Sequence, residues 1–183
     1  MIRKLIFLTV FLSVFFVNAS ANASGVNMYE TPRTLPQSQI VGENGAKFKL
    51  TDFKGDFVLA HFWSRYCGPC LKELKSLNNF HNTVKNEGIR LILISPDDEW
   101  FDRGEQRQFL KRYGATDLEF YVEEKEKLSS DFGIFTNPHT VVINQKGQEI
   151  GRFRGSETWD KPKVIKYVRE LKNKYEKNNF SGY

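Results

Sequence analysis

Phe57-Val58-Leu59-Ala60-His61-Phe62-Trp63-Ser64-Arg65-Tyr66-Cys67-Gly68-Pro69-Cys70 is the stretch that decides how this chain folds. Residues 57–63 are almost all apolar, as in a strand buried on both faces. After a three-residue turn come two cysteines with Gly68 and Pro69 between them. The first turn of a helix tolerates proline there, because the missing N–H has no helical partner to lose. Beyond it Leu71, Leu74, Leu77, Phe80 and Val84 recur at near-helical spacing, which predicts a helix running to about Glu87.

A strand-turn-helix unit of this kind gives the cysteines a chemistry. Unpaired N–H groups and the helix dipole favour an anion at the N-terminus, so Cys67 is the candidate thiolate. Cys70, one turn inside, can bond back to Cys67 and so resolve a mixed disulfide. These are the only cysteines in the 183 residues, which argues against a disulfide-stapled scaffold. A structural zinc site needs two further ligands, and there is no second cysteine pair to supply them. Copper(I) is a rival, since two thiols and His139 would make a soft ligand set.

Outward from this unit, Ile89 to Ser95 reads as a second buried strand and residues 100–113 as a second helix, closed by Gly114. A short strand is expected at residues 118–122 and a short helix at 124–132. Residues 140–143 and 149–154 should pair across the turn Gln145-Lys146-Gly147. Upstream, residues 39–41 and 47–50 flank Asn44-Gly45, a strong hairpin signal. Residues 24–38 are polar, contain Pro32 and Pro36, and read as a linker. The domain proper is expected over residues 39–178, with a tail at 179–183.

At the N-terminus Arg3 and Lys4 precede an apolar run over residues 5–17, followed by Ala19-Ser20-Ala21 and Ala21-Asn22-Ala23. This is the pattern of a signal peptide over residues 1–23. The apolar run is short for a membrane span, which needs about 20 residues, although an uncleaved N-terminal anchor is the alternative. Either way the domain is placed outside the cytoplasm, where disulfides persist. The formal net charge of +5 is matched by residues 161–183 alone, which carry seven basic and two acidic side chains. Val164, Ile165, Val168, Leu171 and Tyr175 form an apolar stripe through that segment. The charge is therefore the solvated face of a C-terminal helix, and nucleic acid is not an expected partner.

The segment from Phe62 to Cys70 resembles the active-site strand and turn of the thioredoxin superfamily. Residues 40–155 are similar to its exported TlpA/ResA/DsbE-like branch. The features that carry the likeness are the hairpin residues 41–55, the motif strand, Pro138-His139-Thr140-Val141-Val142-Ile143-Asn144, and Gly147, Ile150, Phe153 and Gly155. The resemblance implies an α/β thioredoxin fold: a central mixed sheet flanked by helices, with an N-terminal β-hairpin extension. It implies a thiol:disulfide oxidoreductase with a redox-active disulfide Cys67–Cys70 and no other cofactor. Pro138 should follow a cis peptide bond, and Glu73 should accept a proton from the resolving thiol, unless it is merely a solvated carboxylate near Lys72 and Lys75. Trp63, Tyr66, Asn137 and His139 are the candidate substrate contacts.

Several positions depart from the branch. Tyr66 stands where tryptophan is usual, Lys75 replaces a frequent proline, and His139 sits where threonine is common. His61 occupies a place that is acidic in thioredoxins, where it is either a proton shuttle or a core histidine bonded to a backbone carbonyl. Asp97-Asp98-Glu99 lacks calcium-loop spacing and reads as carboxylates at a helix start. His81 reads as a packing residue of the first helix. Ala60 fails the pattern of a peroxidatic site.

The expected activity is reduction of disulfides in exported proteins, with cytochrome c maturation as the first candidate pathway and cell redox homeostasis as the general setting. Electrons would come from a membrane donor of the thiol-relay type to a monomeric, periplasmic or outer-surface protein. The alternatives are a copper-binding assembly factor for cytochrome oxidase, using Cys67, Cys70 and His139, and an oxidant that introduces disulfides.

Overall fold

The computed structural model describes residues 25–177; the expected signal peptide and C-terminal tail lie outside the described residues. Eight strands, β1 (Val26–Thr34), β2 (Ile40–Gly42), β3 (Lys47–Phe48), β4 (Phe57–Phe62), β5 (Ile89–Pro96), β6 (Glu119–Glu123), β7 (His139–Ile143) and β8 (Gln148–Arg154), form one sheet in the order β1-β8-β7-β4-β5-β6-β2-β3. Strands β4, β5 and β6 are parallel and the remaining pairs antiparallel, so the sheet is mixed. Among the described residues four helices accompany it: α1 (Gly68–Val84), α2 (Arg103–Arg112), α3 (Lys127–Asp131) and α4 (Pro162–Lys177). This is the thioredoxin fold that the sequence implied.

Strand β4 is buried along its whole length and sits at the centre of the sheet. Its side chains alternate between two apolar clusters, as the pleat requires. Phe57, Leu59 and Trp63 join Leu74, Leu77, Phe80 and Val84 of α1, Phe109 and Leu110 of α2, and Val164, Val168 and Leu171 of α4. Val58, Ala60 and Phe62 face the other way, towards Leu50 and Phe53 of a 3-10 turn, Leu128 of α3, and Ile134. Two crossovers that advance in one direction, β4-α1-β5 and β5-α2-β6, leave their helices on a single face, as right-handed connections must.

The expected hairpin forms at β2 and β3, with Gly45 at a positive φ of 79° in its turn. It is part of the sheet, because β2 pairs with β6. The linker reading of residues 24–38 is corrected. Val26–Thr34 is an edge strand on β8, with Val26 paired to Phe153 and Thr34 to Gln148. An edge strand needs only one apolar face, and Val26 and Met28 supply it against the first cluster. Pro32 falls where the register shifts between Met28 and Arg33, a place where a missing N–H costs no ladder bond. Strand β1 starts at the end of the sheet where β4 finishes, since Gly25 accepts a bond from Arg154 N–H.

The second helix is shorter than the expected 100–113. Residues Asp97–Glu99 form a separate 3-10 turn, and Asp102 caps α2 by accepting from Glu105 N–H. The short helix expected over 124–132 is divided, with Lys125 and Glu126 both left-handed at φ 50° and 51°. Leu77 is fully buried between β4 and α1. Leu77→Ala should lower unfolding free energy by about 2–5 kcal/mol, measured by guanidinium unfolding with an unchanged m-value.

Candidate active site

The chain leaves β4 at Phe62, and Trp63 N–H continues the ladder by donating to Ile94 O at 3.0 Å. The turn that follows is fixed by one carboxylate. Glu99 accepts from Ser64 Oγ at 2.5 Å and from Arg65 N–H at 2.8 Å. The Ser64 hydroxyl in turn accepts from Tyr66 N–H at 3.1 Å. The Arg65 guanidinium donates to Glu99 O at 2.7 Å and to Glu105 Oε1 at 2.8 Å, and lies 4.7 Å over the Trp100 ring. Phe101 N–H and Arg65 together hold the Glu105 carboxyl below its ordinary range. Glu99 is thus a clamp on the turn as well as one of the carboxylates of a short 3-10 helix. Sequence reasoning missed it because its partners lie more than thirty residues away and share no periodicity with it.

From this turn α1 begins. Cys67 is its N-cap, and the Cys67 sulfur accepts from Cys70 N–H at 3.2 Å. The two cysteines are joined as a disulfide, with Cα atoms 5.2 Å apart. In the reduced protein the Cys67 sulfur would be the thiol or thiolate at the helix N-terminus. Cys67 is partly exposed, while Cys70 is 0% exposed. The Asn137–Pro138 bond is cis, and Gly155 N–H donates to Pro138 O at 3.0 Å.

Glu73 and His61 meet in the interior. Both are buried, with His61 Nε2 3.4 Å from Glu73 Oε1. Glu73 Oε2 accepts from Trp159 Nε1–H and from Glu157 N–H, each at 3.0 Å. The solvated reading of Glu73 is therefore overturned, because its helix face packs under residues 157–159. His61 Nδ1 lies 2.8 Å from Thr140 Oγ1, so its partner is a hydroxyl and not a backbone carbonyl. Thr140 stood in the sequence as part of the strand after Pro138, and Trp159 carried no signal beyond aromatic bulk.

The substrate-contact candidates divide. Tyr66 is 80% exposed beside Cys67, and Asn137 is exposed on the cis-proline loop. Phe135, overlooked in the sequence, is 85% exposed and lines a cavity of about 180 Å3 with Phe62, Pro96, Glu123, Glu126 and Asn137. Trp63 and His139 lie inside the fold. Trp63 is wholly buried against Trp100 and Phe109, with ring centroids 5.7 and 6.2 Å away, because its strand position points it into the first cluster. His139 is buried and sits opposite Phe62 in the β4–β7 ladder, which turns it to the face away from His61 and Thr140. Among the described residues no three His, Cys, Asp or Glu side chains come together as a metal site.

A thioredoxin fold that carries a cysteine pair at the N-terminus of the helix after its central strand, opposite a cis-proline loop, defines a thiol:disulfide oxidoreductase. Comparison with known proteins agrees. The family model described as Redoxin matches residues 31–168. The chain is 26% identical over 144 residues to the thiol-disulfide oxidoreductase ResA of Bacillus thuringiensis subsp. konkukian, covering 78% of this chain and 79% of that one. It is 22% identical over 157 residues to ResA of Bacillus subtilis, covering 86% of each. Among solved structures, a thiol:disulfide interchange protein from Bacteroides sp. superposes with a TM-score of 0.64 at 20% identity, covering 83% of this chain and 96% of that one. StoA from Bacillus subtilis gives a TM-score of 0.57 at 20% identity, covering 74% and 96%. The chain belongs to the Redoxin family, in its TlpA/ResA/DsbE-like branch.

Burial, followed by Arg152, Arg154 and His61, pushes the His139 pKa down to about 4. The unfolded chain protonates this residue near pH 6.5 and the folded one does not, so the unfolded state binds more protons between those values. Its contribution is present above about pH 6.5 and is lost as pH falls towards 4. The loss should be on the order of 2–3 kcal/mol. His139→Gln should flatten this limb when guanidinium midpoints are compared between pH 7 and pH 4.

Proposed function

We propose that this protein reduces disulfides in exported proteins, with Cys67 attacking and Cys70 resolving. The observation that carries the reading is the unequal exposure of the two cysteines on one helix turn. The outer sulfur can meet a protein substrate, whereas the inner one can meet only Cys67. The Cys67 thiolate attacks a substrate disulfide, one substrate sulfur leaves as a thiol, and a mixed disulfide forms. Cys70 then loses its proton and attacks the Cys67 sulfur. The Cys67–Cys70 bond forms, the second substrate thiol is released, and two electrons have passed to the substrate.

Tyr66 and Asn137 flank the sulfurs as substrate contacts, and the backbone before Pro138 offers an edge to an extended substrate segment. Glu73 is the acid that handles the Cys70 proton. Residues 1–23 serve as signal peptide or anchor, so that the folded domain works at the periplasmic or outer face of the cytoplasmic membrane. Electrons arrive there from a membrane thiol-relay donor. The Gly-Pro dipeptide supports a reducing role, since the same dipeptide accompanies thioredoxin at about −270 mV. The similarity to ResA proteins supports cytochrome c maturation as the pathway.

Cys67→Ser should abolish insulin disulfide reduction, and Cys70→Ser should accumulate a covalent substrate complex visible on a non-reducing gel. Faster alkylation of Cys70 than of Cys67 in the reduced protein would reverse the assignment. Equilibration with glutathione should give a potential nearer −270 than about −120 mV; the second value would make the protein an oxidant.

A further inference from the structure

His61 and Glu73 are buried against each other, and the arrangement has a protonation problem built into it. Glu73 Oε2 already accepts two N–H donors. Its other oxygen and His61 Nε2 face each other at 3.4 Å, and neither has another hydrogen-bond partner. Two lone pairs cannot be buried against each other without a proton between them. A proton on His61 Nε2 meets this requirement, while Nδ1 accepts from the Thr140 hydroxyl. The same hydroxyl can instead accept from a protonated Nδ1, since it both donates and accepts. The pocket can therefore hold one proton or two without losing a hydrogen bond.

We propose that His61 and Glu73 act as one proton-holding unit, which takes up the Cys70 proton as an imidazolium–carboxylate pair when Cys70 resolves the mixed disulfide. The proposal rests on the reductase reading and deepens it. Cys70 and Glu73 lie three residues apart on the buried side of α1, so the carboxylate faces the thiol's own helix turn. With one proton the unit carries a single negative charge, which opposes a thiolate at Cys70. With the second proton it is neutral, and the charge that Cys70 gains is matched by the charge the unit loses. Proton transfer and thiolate formation thus leave the net charge of the interior unchanged. No ionised group is created beside an uncompensated one.

Of the residues bonded to the pair, Thr140, Glu157 and Trp159, only Glu157 has a charged side chain, and it is turned to Thr158 N–H. On α1 Cys70 lies one turn before Glu73, and from β7 Thr140 bonds His61. Leu93 of β5 lies beside His61 in the ladder, and Phe153 packs on Trp159. From the segment before α4 it meets the Glu157 backbone N–H and Trp159, whose ring stands edge-on to His61 at 6.1 Å. His139, the nearest other histidine on β7, faces the opposite side of the sheet. Trp159 is the positioning residue of the unit, because its indole N–H fixes Glu73 Oε2 and so leaves Oε1 to His61.

The test uses reduced protein and an aromatic disulfide that releases a coloured thiol twice, once when Cys67 attacks and once when Cys70 resolves. His61→Asn should leave the first release within about twofold and slow the second on the order of tenfold at pH 7. The pH profile of the second release should move to higher pH. Glu73→Gln should do the same, and the double variant should be no slower than the slower single one, as expected for a unit. Trp159→Phe, which keeps the ring and loses the N–H, should shift the profile in the same direction by a smaller amount. Superimposable second-release profiles for His61→Asn and the native protein would overturn the proposal. So would strictly additive effects in the double variant. Loss of the first release in the native protein would instead sink the reductase reading itself, so the two failures are distinguishable. If His61→Asn does not fold, the Trp159→Phe profile decides, and an unmoved profile there counts against the unit.

Discussion

A carboxylate withdrawn from water must be supplied with donors, and here two separate parts of the chain are brought against Glu73. Trp159 and the Glu157 backbone come from the segment before α4, and His61 comes from the central strand. Much else follows from that requirement. The start of α1 is held at a fixed height over β4, and the segment before α4 is drawn under it. Ser76 adds a further tie by accepting from Trp159 N–H at 3.3 Å. An apolar residue at position 73 would have satisfied packing, but it would have left the loop, the indole and the imidazole without a common acceptor.

The turn before Cys67 depends on a second carboxylate used differently. Glu99 is half in solvent and binds two consecutive donors of the turn, Ser64 Oγ and Arg65 N–H. Arg65 closes the arrangement by returning to Glu99 O while lying over Trp100. Because Trp100 and Phe109 also pack on the buried Trp63, the turn is fixed from its polar and its apolar side at once. Mobility at the nucleophile is limited by a network that touches neither sulfur directly.

The parts of this architecture written in short-range pattern were readable in advance. The apolar run of β4, the helical spacing of α1 and the Asn44-Gly45 turn each encode one element locally, and all three are where the pattern put them. The two cysteines declared the chemistry for the same reason. Strand β1 was hidden because an edge strand with one solvated side looks like a polar linker, and Pro32 strengthened that impression. The site residues that sequence reasoning missed or misread are those whose meaning lies in distant contacts. Glu99, Thr140 and Trp159 acquire roles only once separated segments meet. His139 looked available to substrate or metal until the β4–β7 register turned it away. Trp63, adjacent in sequence to the reactive turn, is sealed off by the pleat of its own strand.

The course of β1 has a consequence for how the molecule would hang. Residue 26 pairs with Phe153, so the polypeptide enters the sheet at the end that carries the disulfide and runs away from it. Any attachment through the preceding residues would suspend the domain with its reactive end towards the attachment point, as a lamp hangs with its bulb beside the hook. A short leash would then keep the sulfurs close to whatever holds it. Soluble partners would approach from the side, past Tyr66 and Phe135.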